Sequence, residues 1–275
     1  MYYLSECLII KNENQYLLEH LEKNYQGGIE FFYIYDNESE QSVKEFLEKN
    51  APVWLDRCKI EIFPTTNVIQ TDCYEKFLKD HKDETKWCAF FDTDEIIEGN
   101  LKKLCEENDD YFSLEIDQIM HGSNGVVYAN YSKTLTEQFK DHVLEKRHMI
   151  KCVSQVKYAK RQSAHHTYLN IPMLESIPTE KWVKKFKVED LGDLFQLHHY
   201  FHKSFEEWCI KMKRGCVYSK IGWSLGQFFE ENKVPDEKDL NYILKKYDLT
   251  MNSQSFGNSL YSNKINKKCQ IQLKV

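Results

Sequence analysis

The order of apolar periodicities in about the first hundred residues constrains this chain more than any other feature. Glu6 to Ile10 reads as a strand, and Glu13 to Tyr25 carries Tyr16, Leu17, Leu21 and Tyr25 at helical spacing before Gly27-Gly28 stops it. Ile29 to Tyr35 is a second strand, Ser39 to Asn50 a helix, Lys59 to Phe63 a short strand, Thr71 to His81 a helix and Trp87 to Phe91 a fourth strand. Strands alternating with crossover helices predict an α/β fold with a mostly parallel central sheet flanked by helices. With 275 residues, 41% of them hydrophobic, the chain is long enough for one large domain with an appendage. We place a main domain over residues 1–216 and a C-terminal helical cap and tail over 217–275, where Asp236 to Lys246 has amphipathic spacing and a Ser/Asn-rich stretch follows.

Charge and cysteine usage narrow the class. A net charge of −6 argues against a nucleic-acid partner, which needs surplus Lys and Arg on one face. The basic run Lys181 to Lys187 reads better as a solvated face. The nine cysteines are odd in number, widely spread and without a Cys-x-x-Cys pair, which is neither a zinc nor a disulfide signature. Several lie in apolar runs as small hydrophobes, so a reducing compartment is the simpler expectation. The N-terminus reads as a first strand and not a signal peptide, and no uncharged run approaches the ~20 residues needed to span a bilayer. The cytoplasm is favoured, for a chain of viral or bacterial type, and the alternative is a Golgi lumen, for a domain separated from its anchor.

In open parallel sheets, ligands bind outside the carboxyl ends of the strands. Three polar groups fall there: Lys11-Asn12-Glu13, Asp36-Asn37-Glu38-Ser39 and Asp92-Thr93-Asp94, with Glu95 adding negative charge. Hard carboxylate oxygens two residues apart at a strand end suit Mg²⁺ or Mn²⁺. Strand one runs into Lys-Asn-Glu-Asn with no glycine-rich phosphate loop, which argues against a Rossmann dinucleotide site. A diphosphate bridged to the Asp pair by a metal ion is the alternative these residue types allow.

Several segments resemble glycosyltransferase family 92 and related family 2-like transferases. They are Cys7-Leu-Ile-Ile-Lys-Asn-Glu-Asn14, Gly28-Ile-Glu-Phe-Phe-Tyr-Ile-Tyr-Asp-Asn-Glu-Ser39 and Trp87-Cys-Ala-Phe-Phe-Asp-Thr-Asp-Glu95, with Gln70-Thr-Asp-Cys-Tyr74 ahead of the Asp pair. His121-Gly-Ser-Asn-Gly125 follows, then His199-Tyr-Phe-His-Lys-Ser-Phe-Glu-Glu207 leading to Lys211-Met-Lys-Arg-Gly215, so the ordered matches cover about residues 5 to 216. The resemblance implies a GT-A fold and metal-dependent, inverting transfer of a sugar, galactose favoured, from a UDP-sugar to a glycan hydroxyl. It implies that Lys11, Asn12, Glu13, Asp36, Gln70 and Thr93 line the donor, that Asp92 and Asp94 hold Mn²⁺ or Mg²⁺, and that His199 or His198 completes the shell. Lys203 and Arg214 would contact the diphosphate. Inversion needs a carboxylate base; Asp117 is favoured, with Glu115 and Asp141 as alternatives. The chain departs from the family pattern at His121-Gly-Ser and at Thr167-Tyr168 after His165-His166, which leaves sugar and acceptor open.

Each residue also has a plainer role. Asp92 and Asp94 would cap a turn, and Gln70 and Lys11 would be surface groups near helix starts. Ser204 with Glu207 forms a capping box for a helix from Phe205 to Lys213. His198 and His199 alternate along a strand, so only one of them faces the site. Among functions, transfer from another nucleotide sugar, such as one of rhamnose or glucose, a metal-dependent nucleotidyltransferase or hydrolase, and a non-catalytic sugar-nucleotide-binding module stand as alternatives.

Overall fold

The computed structural model describes residues 1–64, 70–145, 147–169, 181–214 and 223–249. Its contacts divide the chain into two compact units, Met1–Ile119 with Lys146–His199, and Met120–Glu145 with the residues from Tyr200 on. The expected division after residue 216, and the Ser/Asn-rich tail, lie outside the described residues.

The first unit opens as the periodicity predicts. Strand β1 (Tyr2–Ile10) leads into α1 (Asn14–Gln26), β2 (Phe31–Asp36), α2 (Val43–Asn50), β3 (Cys58–Ile62), α3 (Gln70–His81) and β4 (Thr85–Ala89). Then come β5 (Glu95–Gly99), α4 (Leu101–Glu107), β6 (Ser113–Asp117) and β7 (Ile119–Met120), where the chain enters the second unit. After α5 (Leu135–Phe139) in that unit, the first unit resumes with β8 (Ile150–Gln155), the hairpin β9 (Ala159–Gln162) and β10 (Thr167–Leu169), β11 (Val183–Phe186), α6 (Val188–Leu191) and β12 (Phe195–His199). The second unit is completed by α7 (Phe205–Arg214), α8 (Leu225–Glu231) and α9 (Glu237–Lys246).

Seven strands form the central sheet in the order β11-β6-β8-β4-β1-β2-β3. The pairings β1–β2, β1–β4, β2–β3 and β6–β11 are parallel. Strand β8 runs antiparallel between β4 and β6, so the sheet is α/β and mostly parallel. Alternation along the strands sends Leu4, Leu8, Phe32, Ile34 and Trp87 to one face, where they pack with Leu17 and Leu21 of α1, Leu47 of α2 and Leu101 of α4. Cys7, Tyr33, Tyr35 and Cys88 take the other face, against Cys73, Tyr74 and Phe77 of α3. Helices therefore cover both faces, as a buried parallel sheet requires.

Two boundaries move for identifiable reasons. Helix α2 starts at Val43 and not Ser39, because Asp36 accepts the N–H groups of Ser39 and Val43, both at 2.9 Å, and holds the intervening residues as a loop. Ser42 then caps the helix, accepting the Glu45 N–H at 3.1 Å. After α1, Gly28 takes φ +103, a left-handed conformation that closes the helix end. The fourth strand ends at Ala89, two residues short of expectation, and Phe90 and Phe91 carry the chain into the acidic turn fully buried.

In the second unit, the capping box at Ser204 is present. Ser204 Oγ accepts the Glu207 N–H at 3.2 Å, and Glu207 accepts the Ser204 N–H at 3.1 Å, at the start of α7. Phe205 and Trp208 of α7 pack against Phe228 of α8 in a buried aromatic centre, and Ile243 of α9 is fully buried. No helix among the described residues is long and apolar enough to cross a membrane.

Candidate functional site

Because β1, β2 and β4 run parallel as neighbours, their carboxyl ends share one edge of the first unit. The loops after β1 and β2 are knitted together. Asn12, in a left-handed conformation at φ 56, donates its N–H to Ser39 Oγ at 3.0 Å and accepts the Glu40 N–H at 2.8 Å. Asn14 donates to the Gln41 carbonyl at 2.7 Å. Asp36 spends both carboxylate oxygens on this loop. Lys11 follows β1, half-buried, and Glu13 stands at the N-cap position of α1.

The turn after β4 gathers Asp92, Asp94 and Glu95 within four residues. The Asp92 N–H donates to Glu95 Oε2 at 2.9 Å and the Glu95 N–H to the Asp92 carbonyl at 2.9 Å, which closes the turn on itself. Gln70, the first residue of α3, donates to Asp92 Oδ1. Lys151 of β8 brings its ammonium to 2.7 Å from Asp92 Oδ2 and 3.1 Å from Glu95 Oε2, with its side chain 1% exposed. Gln118 donates to Glu95 Oε1 at 2.8 Å. His199, the last residue of β12, places Nε2 3.5 Å from Asp94 Oδ1 and Nδ1 3.4 Å from Glu95 Oε1. Three carboxylates thus converge with one lysine and one histidine.

Burial and charge set the protonation states. Burial pushes Glu95 up to about 8; Lys151 opposes this, and Asp92 and Asp94 add to it. For Asp92 burial also disfavours the charged form, but the Lys151 ammonium outweighs it and holds the carboxyl below its usual range. Lys151 itself, despite burial, is held above the ordinary lysine value by Asp92 and Glu95.

Strand alternation sends the two late histidines to different partners. In the antiparallel pairing of β12 with β5, His199 stands opposite Glu95 and reaches the acidic turn, whereas His198 stands opposite Ile96 and meets Glu98, 3.4 Å away. Asp117 is the last residue of β6, in register with Ile150 of β8; the pleat therefore directs it to the sheet face opposite Lys151. Glu115, on the same face, pairs with His166 and Lys185, both at 3.1 Å. His165 meets the Ile150 carbonyl at 2.9 Å. Lys203, with φ 56, Arg214 at the end of α7, and Asp141 belong to the second unit.

A divalent cation fits the chemistry of this turn. Asp94 Oδ1 and His199 Nε2, 3.5 Å apart, are separated as two ligands of one hard cation can be, at ~2.1 Å from each. Thr93 is 1% exposed and its Oγ1 has no hydrogen-bond partner, an orphaned polar atom within the turn. Among the described residues, no three His, Cys, Asp or Glu side chains form a ready-made metal cage. Mg²⁺ typically takes one or two carboxylates and completes its shell with substrate phosphates and water.

Sequence reasoning singled out neither Lys151 nor Gln118 as a site residue. The signal for Lys151 was a lone lysine within the apolar run from Met149 to Val153; Gln118 had none beyond its place at a strand end.

No family model matches the chain, and no curated protein matches it. Among solved structures, Staphylococcus aureus TarS residues 1–349 in complex with UDP is 14% identical over 99% of this chain and 75% of that one, with a TM-score of 0.41. HddC from Yersinia pseudotuberculosis is 11% identical over 68% of this chain and 90% of its own, with a TM-score of 0.40. Likeness at this level leaves function to be argued from the site itself.

Proposed function

We propose that this chain is a GT-A-type glycosyltransferase, similar to family 92, that moves a sugar from a UDP-sugar, galactose favoured, to a glycan hydroxyl with inversion. The observation that carries the reading is the convergence of Asp92, Asp94, Glu95, Lys151 and His199 at the carboxyl end of β4. That is where an open α/β sheet binds its ligand, and the residue types suit a metal-bridged diphosphate.

In this reading Asp92, Asp94 and His199 hold Mn²⁺ or Mg²⁺. The ion, when bound, supplies Lewis-acid stabilisation of the departing diphosphate. The chain's own residues do the rest. Lys151 keeps Asp92 ionised, Gln70 and Glu95 fix the orientation of Asp92, and the knitted loops at Lys11–Glu13 and Asp36–Ser39 border the nucleotide. Asp117, at the carboxyl end of β6, remains the candidate base.

The test is UDP release from a panel of UDP-sugars with Mn²⁺ or Mg²⁺, beside calorimetric UDP binding with and without metal. We expect release from at least one donor. Asp94→Asn should lower turnover by at least about 100-fold, since several kcal/mol of stabilisation is at stake, while the circular dichroism spectrum is unchanged. Full activity in that variant would refute the metal assignment, and no UDP binding under any metal condition would refute the donor.

A further inference from the structure

Beneath the acidic turn, the interface of α1 with β1 carries three polar side chains that helix-to-sheet packing does not require. Glu6 interrupts the apolar series Leu4, Leu8, Ile10 on that face of β1 and is fully buried. His20 and Asn24, one helical turn apart on α1, are fully buried as well. His20 Nε2 stands 2.6 Å from Glu6 Oε1, and Asn24 Nδ2 donates to Glu6 Oε2 at 3.0 Å. A buried carboxylate is costly unless paired and hydrogen-bonded, and here both oxygens are engaged.

Asn24 also reaches across to β5. Its Oδ1 accepts the Ile97 N–H at 2.9 Å and its Nδ2 donates to the Glu95 carbonyl at 3.4 Å, so one side-chain amide grips two backbone groups of one strand. Glu95 in turn closes the Asp92 turn through its own N–H and carboxylate. The sequence of contacts runs His20 to Glu6, Glu6 to Asn24, Asn24 to the Glu95–Ile97 backbone, and from there to the turn that aims Asp92 and Asp94. Burial opposes protonation of His20, but the Glu6 carboxylate, helped by Asp94, holds the imidazole above its usual range.

We propose that Glu6, His20 and Asn24 form a buried positioning unit that holds the Asp92–Glu95 turn in the geometry at which it takes its metal-bound diphosphate ligand. This rests on the reading of the turn as a nucleotide-sugar seat. A partner that orients a liganding group affects affinity without touching the ligand, and loss of such a partner typically weakens metal binding about 10- to 100-fold.

The experiment compares four full-length variants, Asn24→Ala, Glu6→Gln, Glu6→Leu and Leu17→Ala, with the parent. The last loosens α1 from the apolar core without touching a polar partner, Leu17 being fully buried in that core. Two quantities are measured: amide exchange at Ile97, and UDP binding in the presence of Mn²⁺. Asn24→Ala should speed exchange at Ile97 and weaken binding about 10- to 100-fold. Glu6→Gln, which keeps an acceptor for Asn24, should bind more tightly than Glu6→Leu. Leu17→Ala should leave binding within about twofold, as a change remote from the turn. Parent-like Ile97 protection in Asn24→Ala, or equal loss of binding in Asn24→Ala and Leu17→Ala, would overturn the proposal. Failure of the parent to bind UDP would instead count against the nucleotide reading, and the Ile97 exchange would then decide the positioning claim.

Discussion

Lys151 is the residue on which the charge balance of the acidic turn depends. It lies within hydrogen-bond reach of both Asp92 and Glu95, and its side chain is 1% exposed. Breaking a buried ion pair by removing one partner typically costs ~3–5 kcal/mol, because the surviving charge is left without compensation. Two features moderate that here: the Asp92 side chain is 35% exposed, and Glu95, pushed up to about 8, is largely protonated at neutral pH and leaves little charge to compensate. Lys151→Met should therefore destabilise the protein by about 3 kcal/mol, the low end of the range. Urea denaturation at neutral pH measures it. A loss under about 1 kcal/mol would mean that solvent screens the pair as it screens a surface ion pair.

At the scale of elements, local signals in the sequence were enough for those strands and helices whose apolar period is uninterrupted. Helices α1, α3 and α9 fall within one or two residues of expectation because Tyr16, Leu17 and Leu21, then Cys73, Tyr74 and Phe77, then Leu240, Ile243 and Leu244 repeat on one face. The start of α2 was not legible, since Ser39 and Ser42 are both acceptable caps and only the fold brings the Asp36 carboxylate to the Ser39 and Val43 N–H groups. Nor was the pairing of β5 with β12, which joins residues about a hundred positions apart and decides that His199 and not His198 meets Glu95. Asp36 thus has an assignable structural task whatever its part in binding. Asp36→Ala should cost ~1 kcal/mol, within the range for removing a side-chain acceptor at a helix start. The loop amides of Ser39 and Val43 should then exchange faster while those of β1 do not. An unchanged thermal midpoint with unchanged exchange would show that the loop holds without the carboxylate.

Across the whole molecule, the legible part is the part that repeats. The alternation of strand and helix predicted a mostly parallel sheet, and the Asp pair was visible because it follows an apolar run. Lys151, Gln118, Glu6 and Asn24 were not, because each acts through a partner remote in sequence: Lys151 lies 59 residues from Asp92, and Asn24 lies 71 from Glu95. Cysteine usage is a molecule-wide property that can be read both ways. The odd count and wide spacing predict free thiols, and Cys7, Cys58, Cys73, Cys88, Cys105, Cys152 and Cys209 are all free in the structure. Six of these are buried and Cys58 is partly buried. Burial raises the thiol of Cys7 and of Cys88 well above its ordinary value and pushes those of Cys58, Cys152 and Cys209 up to about 12. A thiol is attacked only as its thiolate and only where reagent can reach it, so burial and a raised pKa act in the same direction. Labelling with a thiol reagent at neutral pH should therefore leave those six unmodified on the timescale on which an exposed thiol reacts. After denaturation without reductant, all nine should react. Rapid native labelling at Cys7, Cys73 or Cys88 would show that the sheet face against α3 opens far more readily than its packing implies, and fewer than nine thiols after denaturation would reveal a disulfide.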